Sequence, residues 1–542
     1  MSTIYSKELQ QSNITVTLAS MKFEGSKLRL ELTCPTGEYE WRGVLISYAQ
    51  KIEADRDEYF FEFDNKTVNP FETTIHLTID LDAIEFKSTN WNVNAVYALG
   101  GEDYKSPIIY KARYVTYRDL FFPKDRYVKN GFILSPYPMR GGFLGLRYRQ
   151  KNRYDSLGTR IKETIALLIY NFKKKKYRDK QIYLIYEKRC AKAMDNAYYL
   201  FKYCMDNDME QVLGREIYYV IERDSADYAK LKPYERNVLK FASVKHMLYL
   251  LSARLLISSD SRAHAYIWQP EVSVIAPLLT KKRHIFLGHG VLALKRLNDS
   301  FLAKRMNSVM ATVTSEDERD IVVDHLGFKR HDAPITGYAR FDALVDKSDD
   351  YNEILIMPTH RSWLFGVDRE AFTSSEYYER YTRILKSPEL NAILKERGMT
   401  AKFYLHPSIG EHLDTFTESG ECVEIVKPGE YAIDELMMRC KLLITDYSSI
   451  CWDVYYMGKP ILFYQYDEQD YLDTWGSYIE LSKDSPGMIS KTYDELISHF
   501  TDAAERGFEL DENWAERREE HYQFIDTDNC KRICEALKER NL

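Results

Sequence analysis

KLLITDYSSICWDVYYMGKPILFYQYD, residues 441–467, reads as a β-strand, a polar turn, a helix and a second strand. The apolar run at 442–444 ends at Thr445-Asp446-Tyr447-Ser448-Ser449, ICWDVYYMG follows as an apolar-rich helix, and KPILFYQYD returns to strand. A strand, a crossover helix and another strand form the unit of a parallel sheet, and such crossovers are right-handed. Working outward, the same rhythm recurs upstream in QIYLIYEK (181–188), EIYYVIER (216–223), ARLLISSD (253–260) and RHIFLGHG (283–290). A second series holds SVMATVTS (308–315), EILIMPTH (353–360) and AKFYLHP (401–407) before the opening stretch. Two α/β units with parallel sheets are therefore expected over about 159–314 and 315–510, with a helical segment over 511–542.

The first 120 residues follow another rule. NITVTLASMKF (13–23), KLRLELTC (27–34), YFFEFD (59–64), TTIHLTIDL (73–81) and WNVNAVYAL (91–99) alternate apolar and polar residues between turn clusters. Short strands at that spacing predict a β-sandwich over 1–120, joined by a connection at 121–158. Asp80-Leu81-Asp82 has the form of a DxD metal clamp, but it lies in an alternating strand, where outward carboxylates are the simpler reading.

The chain has 542 residues, 45% of them hydrophobic and 29% charged, so several ordinary cores are affordable and disorder is excluded. Lys and Arg number 75 against 82 Asp and Glu, a net charge of −7, which gives no argument for nucleic acid. Eight dispersed cysteines without CxxC or zinc-type spacing fit reduced thiols in a cytosolic protein. The start, MSTIYSKELQQ, lacks a secretory pattern, and IALLIY (165–170) is too short to span a bilayer.

In open α/β sheets, ligands bind beyond the carboxyl ends of the strands, and the polar punctuation falls there. His289 lies between Gly288 and Gly290 after IFL, where a turn exposes an imidazole suited to general-base work near neutral pH. His406, followed by Pro407, is placed to donate to a phosphate or to act as an acid. Ser448 and Ser449 cap a helix on the simplest reading, and equally offer hydroxyls where a phosphate or diphosphate would sit. Lys295, Arg340 and Arg361 supply positive charge for a diphosphate. No GxxxxGK[ST] loop and no GxGxxG occurs, which leaves a phosphate cradle that is not glycine-rich.

Taken as a set, HGVLALK (289–295), TGYARFD (336–342), ILIMPTHR (354–361), YLHP (404–407) and the block 443–467 resemble the CDP-glycerol glycerophosphotransferase family, which includes teichoic acid polyol-phosphate polymerases and primases. YLIYEKRCAKAMDNAYYLFKY (183–203) and YYVIERDSADYAKL (218–231) are similar to its first α/β domain. The chain departs from the family in having Gly288 where a Trp is usual before the His-Gly pair, Ala339 for a Pro, and His360 for a Trp. The resemblance implies a GT-B-like pair of Rossmann-type domains after the β-sandwich. The second would bind a CDP-polyol; the first would supply His289 and acceptor contacts. It implies transfer of a polyol phosphate, glycerol phosphate foremost, to a hydroxyl of a polyol-phosphate or lipid-linked glycan acceptor with release of CMP. Catalysis would rest on His289 and His406. Ser448, Ser449, Arg340 and Arg361 would hold the diphosphate, Lys295 would meet acceptor or phosphate, and Asp446 would position its loop or meet polyol hydroxyls. The sequence requires no cofactor or metal and leaves a cleft-bound divalent ion open. A GT-B nucleotide-sugar glycosyltransferase and a non-catalytic glycan-binding adaptor are the competing readings.

Within 147–180, twelve Lys and Arg stand against three acids. TRIKETIALLIYNFKKKK (159–176) sets Ile161, Ile165, Leu168, Ile169 and Phe172 at helical spacing beside Arg160 and Lys173, Lys174, Lys175 and Lys176. This predicts either an interfacial helix on an anionic membrane or a core-facing helix with a solvated basic side. The expected location is cytoplasmic, peripheral to the inner face of the cell membrane.

Overall fold

The computed structural model describes residues 9–12, 14–48, 58–87, 90–110, 126–139, 141–266, 268, 273–427 and 429–542. Residues 1–171 with 266–278 form one compact unit, and 172–265 with 279–542 form the other. Residues 1–8, read above for a leader, and 121–125 of the expected connection lie outside the described residues.

Alternation builds the first unit. In Lys27–Pro35, Leu28, Leu30, Leu32 and Cys34 are buried, and in Glu72–Asp80 so are Ile75, Leu77 and Ile79. The two strands pair antiparallel with Leu30 opposite Leu77, so both apolar rows face one side. Glu102–Ile109 pairs with Asn90–Leu99 on one edge and with Val16–Glu24 on the other. A single sheet of twelve strands thereby folds on itself around a core that includes Trp41, Trp91 and Tyr97. The β region extends past residue 120. Tyr127–Lys129, Phe132–Pro138 and Leu144–Gln150 are strands, the last paired with Asn90–Leu99, where a connection was expected. Pro136, Pro138 and Gly145 mask their alternation in the sequence. Asp80 caps the turn after its strand by accepting from the Asp82 N–H, and Asp82 accepts from Tyr127 and Lys129, which supports the structural reading of that DxD.

The helix Leu157–Phe172 has its polar side inside. Thr159, Arg160, Glu163 and Ala166 are buried, and Glu163 accepts from Trp268 Nε1 (2.6 Å), Ser273 Oγ (2.5 Å) and Val274 N–H (3.1 Å). Leu157, Ile161, Ile165, Leu168 and Phe172 are exposed. Arg160, expected on the membrane face, is 3% exposed and therefore belongs to the buried side.

The second unit holds two six-stranded parallel sheets. In space the first runs Val238–Lys240, Ile217–Ile221, Tyr183–Tyr186, Leu255–Ser258, Arg283–Phe286, Ser308–Ala311. The second runs Val423–Ile425, Thr400–Phe403, Glu353–Ile356, Cys440–Thr445, Ile461–Tyr464, Met488–Ser490. Each is the doubly wound order 3-2-1-4-5-6 of a Rossmann-type domain. Ser308–Ala311, read above as opening the second series, pairs with Arg283–Phe286 and closes the first sheet. The central strands are buried on both faces, as those of helix-covered parallel sheets are. The C-terminal segment crosses between the domains. Tyr522 enters the second domain's core, while Cys530, Ile533, Cys534 and Leu537 enter the first, where Tyr183 donates to the carbonyl of Leu542 at 2.5 Å. The architecture is a GT-B-like pair of Rossmann-type domains preceded by an antiparallel β unit.

Candidate active site

In each sheet the first and fourth strands in chain order lie side by side, and the crossovers diverge from that point to open a crevice at the strand ends. In the first sheet it lies beyond Tyr186 and Ser258, in the second beyond Ile356 and Thr445.

The first crevice is shaped by a strained turn. Lys188, Arg189 and Cys190, none of them glycine, have φ of 46°, 57° and 60° in succession. Left-handed backbone costs roughly 1–2 kcal/mol per such residue. The turn is held by Lys188 N–H donating to Asp260 Oδ2 (2.7 Å), Cys190 N–H to the Glu187 carbonyl (2.8 Å) and Glu222 N–H to the Cys190 carbonyl (2.8 Å). It aims the Lys188 ammonium at His289, 2.7 Å from both ring nitrogens. His289 Nδ1 meets the carboxylate of Asp195, the residue that caps the helix Asn196–Asp206. With the Nδ1 proton committed to Asp195, the Nε2 lone pair accepts from Lys188.

Asp195 is itself surrounded. Burial by itself would raise its carboxyl, but His289, Arg340 and Lys188 outweigh that and hold it well below the usual carboxylate range. Beneath it, fully buried Glu187 accepts from the N–H groups of Met194, Asp195 and Tyr198, and burial followed by the Asp195 charge pushes it up to about 8. Arg340 grips Asp453 with Nε and Nη2 (2.6 and 2.8 Å) and reaches Asp195 and the His289 carbonyl with Nη1 (both 3.3 Å). Asp453 belongs to the helix Ile450–Tyr456 that follows Ser448-Ser449. A chain of charges thus runs from that helix through Arg340 and Asp195 to the imidazole.

The second crevice gathers neutral and cationic donors. Neither the Ser448 nor the Ser449 hydroxyl has a hydrogen bond among the described residues, and Ser449 makes no side-chain cap, so the simple capping reading does not account for them. His406 Nδ1 accepts from Ser408 N–H at 3.1 Å, which leaves the proton on Nε2 as a donor. Burial first, then the charge of Lys295, lowers His406 to about 4. His360 packs against it at 4.2 Å between ring centres and stacks on Phe365 at 5.0 Å, so the imidazole does an aromatic ring's packing where the family tends to have Trp. Its Nδ1 and the Thr359 hydroxyl are buried without a partner. Lys295 lies over the Trp475 ring, 3.3 Å from its centre, and burial lowers it to about 8.

Three residues expected at the ligand are engaged within the protein. Arg361 is fully buried, with Nε and Nη2 on Asp467 (2.6 and 3.0 Å) and Nη1 on Asp446 and the Thr359 carbonyl (2.8 Å each). It braces the loop and has no exposed surface to offer a ligand. Asp446, equally buried, accepts from Thr359 N–H, Tyr447 N–H and Tyr381 Oη, so of its two expected roles the positioning one fits. Arg340 is likewise committed to Asp453 and Asp195. Sequence reasoning missed Lys188, Asp195 and Asp453. The cap signal Asp195-Asn196, just before an apolar-rich helix, is the one trace of them in the sequence.

The departures have local causes. Gly288 has φ of +70°, and a Cβ there would lie 2.6 Å from the Tyr338 hydroxyl, so no side chain fits before His289. Ala339 is buried at the start of the turn that carries Arg340. Among the described residues no cluster of three ligand side chains is placed to hold a metal ion.

The sequence model of the family described as CDP-Glycerol:Poly(glycerophosphate) glycerophosphotransferase matches residues 168–539, more than half of the chain. The chain is 26% identical over 447 residues to "Minor teichoic acid biosynthesis protein GgaB" of Bacillus subtilis (strain 168), covering 79% of this chain and 46% of that protein. It is 24% identical over 247 residues to "Teichoic acid ribitol-phosphate polymerase TarK" of Staphylococcus aureus (strain NCTC 8325 / PS 47), covering 42% of this chain and 45% of that one. The matches thus span about half the length of these curated relatives. A solved structure of the wall teichoic acid polymerase TagF covers 71% of this chain and 98% of its own, at 16% identity and a TM-score of 0.48. On the extent of the sequence match, the chain belongs to the CDP-glycerol:poly(glycerophosphate) glycerophosphotransferase family.

Proposed function

We propose that the protein transfers a polyol phosphate, glycerol phosphate foremost, from a CDP-polyol to a hydroxyl of a polyol-phosphate or lipid-linked acceptor. The observation that carries this reading is the His289–Asp195 pair set directly against the Ser448-Ser449 turn through Gly290. The diphosphate sits on the two serine hydroxyls, His406 Nε2–H and Lys295. Its negative charge draws the Lys188 ammonium away from Nε2 of His289 and onto a phosphate oxygen. The freed Nε2 takes the proton of the acceptor hydroxyl, whose oxygen attacks the polyol-bearing phosphorus in line, and CMP leaves with the bridging oxygen. Asp195 fixes the tautomer and balances the imidazolium that forms, as a carboxylate behind a catalytic histidine does. Positioning and charge stabilisation supply most of the acceleration. The relatives' names, teichoic acid polymerases among them, support a cell-surface polymer as the product.

The exposed stripe Leu157–Ile161–Ile165–Leu168–Phe172, continued by exposed Lys173–Lys176, supports seating on an anionic membrane surface from the cytoplasmic side. No helix among the described residues is long and apolar enough to cross a membrane. The deciding experiment offers CDP-glycerol, CDP-ribitol and UDP-sugars in parallel and asks which nucleotide is released. Release of CMP that disappears in His289→Ala is expected; release of UDP instead would establish the glycosyltransferase reading, and no turnover with any donor the adaptor reading.

A further inference from the structure

A second cavity, of about 470 Å3, lies in the same unit behind the loop that carries His289. Val291, Leu292 and Ala293 form one wall, so its occupant touches the chain two residues from the base. Glu318 anchors that wall by accepting from Leu292 N–H at 2.8 Å, and the Tyr338 hydroxyl stands 2.5 Å from Glu318 and 3.1 Å from the Gly290 carbonyl. His289, His406, Ser448 and Ser449 do not line it.

Its chemistry selects a ligand by elimination. Asp317, Asp320, Glu480, Asp484 and Glu520 line it against Arg517, an excess of negative charge that repels a nucleoside diphosphate or a polyol-phosphate chain. A simple cation would suit the carboxylates and leave the other wall unanswered. There Trp452 is 3% exposed and its Nε1–H, which can only donate, has no partner; His521 Nε2 has none either. The two rings stack at 4.6 Å, and burial keeps the imidazole neutral. Tyr455, Tyr478 and Trp514 add aromatic surface. A ligand that meets all of this is uncharged, donates hydroxyls to carboxylates, accepts from the Trp452 Nε1–H, and has an apolar C–H face to lay on an aromatic ring. A sugar ring has these properties together.

We propose that this cavity is a binding site for a neutral pyranose. That the pyranose belongs to the acceptor glycan rests on the transferase reading above; that the cavity takes one does not.

The test titrates the full chain with methyl β-D-glucopyranoside and methyl N-acetyl-β-D-glucosaminide, read by tryptophan fluorescence and saturation-transfer NMR. Glycerol 3-phosphate and tetramethylammonium serve as the anion and cation. Saturable binding of a pyranoside is expected, weakened about tenfold in Trp514→Ala and in Asp484→Asn, with CMP release from CDP-glycerol to a sugar-free polyol-phosphate acceptor unchanged in both variants. Binding by tetramethylammonium alone, or pyranoside binding that neither variant weakens, would overturn the proposal. So would displacement of the pyranoside by CDP-glycerol, which would put the sugar in the nucleotide crevice. The readout needs no turnover, so an absence of CMP release with every CDP-polyol would sink the transferase reading and leave this one standing.

Discussion

A single carbon does not fit between Gly290 and Ser449: a Cβ on Gly290 would lie 2.7 Å from the Ser449 hydroxyl oxygen and 3.0 Å from its Cβ. The loop carrying His289 in the first domain is thereby pressed against the Ser448-Ser449 turn of the second. Gly290→Ala forces the two apart by several tenths of an ångström or turns the serine away. Turnover should fall about 10- to 100-fold, because near-attack geometry tolerates little displacement, while the melting temperature stays close to that of the parent. Gly290→Ala with parental kcat would show that this contact does not set the geometry of the reaction.

Asp195→Asn tests the charge behind His289. The amide preserves shape, but it offers either an oxygen or an N–H to Nδ1 and brings no charge to balance an imidazolium. We expect kcat to fall roughly 10²- to 10⁴-fold, the span of general acid–base contributions, with donor affinity little changed. Combining it with His289→Ala should add almost nothing, since residues acting as a unit are not additive. An additive double mutant would separate Asp195 from the imidazole.

Arg361 separates a strut from a ligand contact. Its guanidinium is fully buried between Asp446 and Asp467, so Arg361→Met leaves two buried carboxylates without their cation. Breaking such an arrangement costs about 3–5 kcal/mol. Urea unfolding should register that loss, and Arg361→Lys should restore only part of it, because an ammonium does not fork between two carboxylates. Parental stability with a raised KM for the donor would instead return Arg361 to the diphosphate.

On the proposed function, Lys295 should make donor affinity depend on pH. Burial lowers its ammonium to about 8, so in the empty site its charge is present below that pH and is lost as pH rises through it. The diphosphate binds the charged form, and affinity should be flat below about pH 8 and fall up to tenfold per pH unit above it. His406, already neutral down to about 4, adds no step in that window. Lys295→Arg, which keeps its charge throughout, should flatten the profile. A profile of unchanged slope in Lys295→Arg, measured by calorimetry with CDP-glycerol, would assign the pH dependence elsewhere.

Much of this was legible in the sequence because strand ends are marked by abrupt changes from apolar to polar residues. The turn after Ile444 and the His289 and His406 positions followed from that rule alone. What it could not supply was pairing. Arg361 and Arg340 read as free cations, yet each has carboxylate partners distant in sequence: Asp467 for one, Asp453 and Asp195 for the other. The strained turn at Lys188 left no mark, since nothing in Lys-Arg-Cys announces three left-handed residues. The strands after residue 126 were hidden by their own prolines and glycine.

The helix Leu157–Phe172 has the clearest disagreement between composition and placement. An amphipathic helix of a soluble unit turns its apolar stripe inward, and here Glu163 and Arg160 are inside while Phe172 is 90% exposed. Hydrogen bonds from Trp268, Ser273 and Val274 to Glu163 fix that orientation, so the apolar stripe is left for something else. On the membrane reading proposed above, the four exposed lysines directly after Phe172 would meet an anionic surface. Changing Lys173–Lys176 to Gln should remove about 1 kcal/mol of vesicle affinity per lysine at low salt, and should matter little on zwitterionic vesicles. Changing Leu168 and Phe172 to Ser should weaken binding on both, since the lost contribution is apolar burial. CMP release from a soluble acceptor should persist in both sets of variants. Flotation with anionic vesicles that the variants leave unchanged would refute membrane seating through this helix.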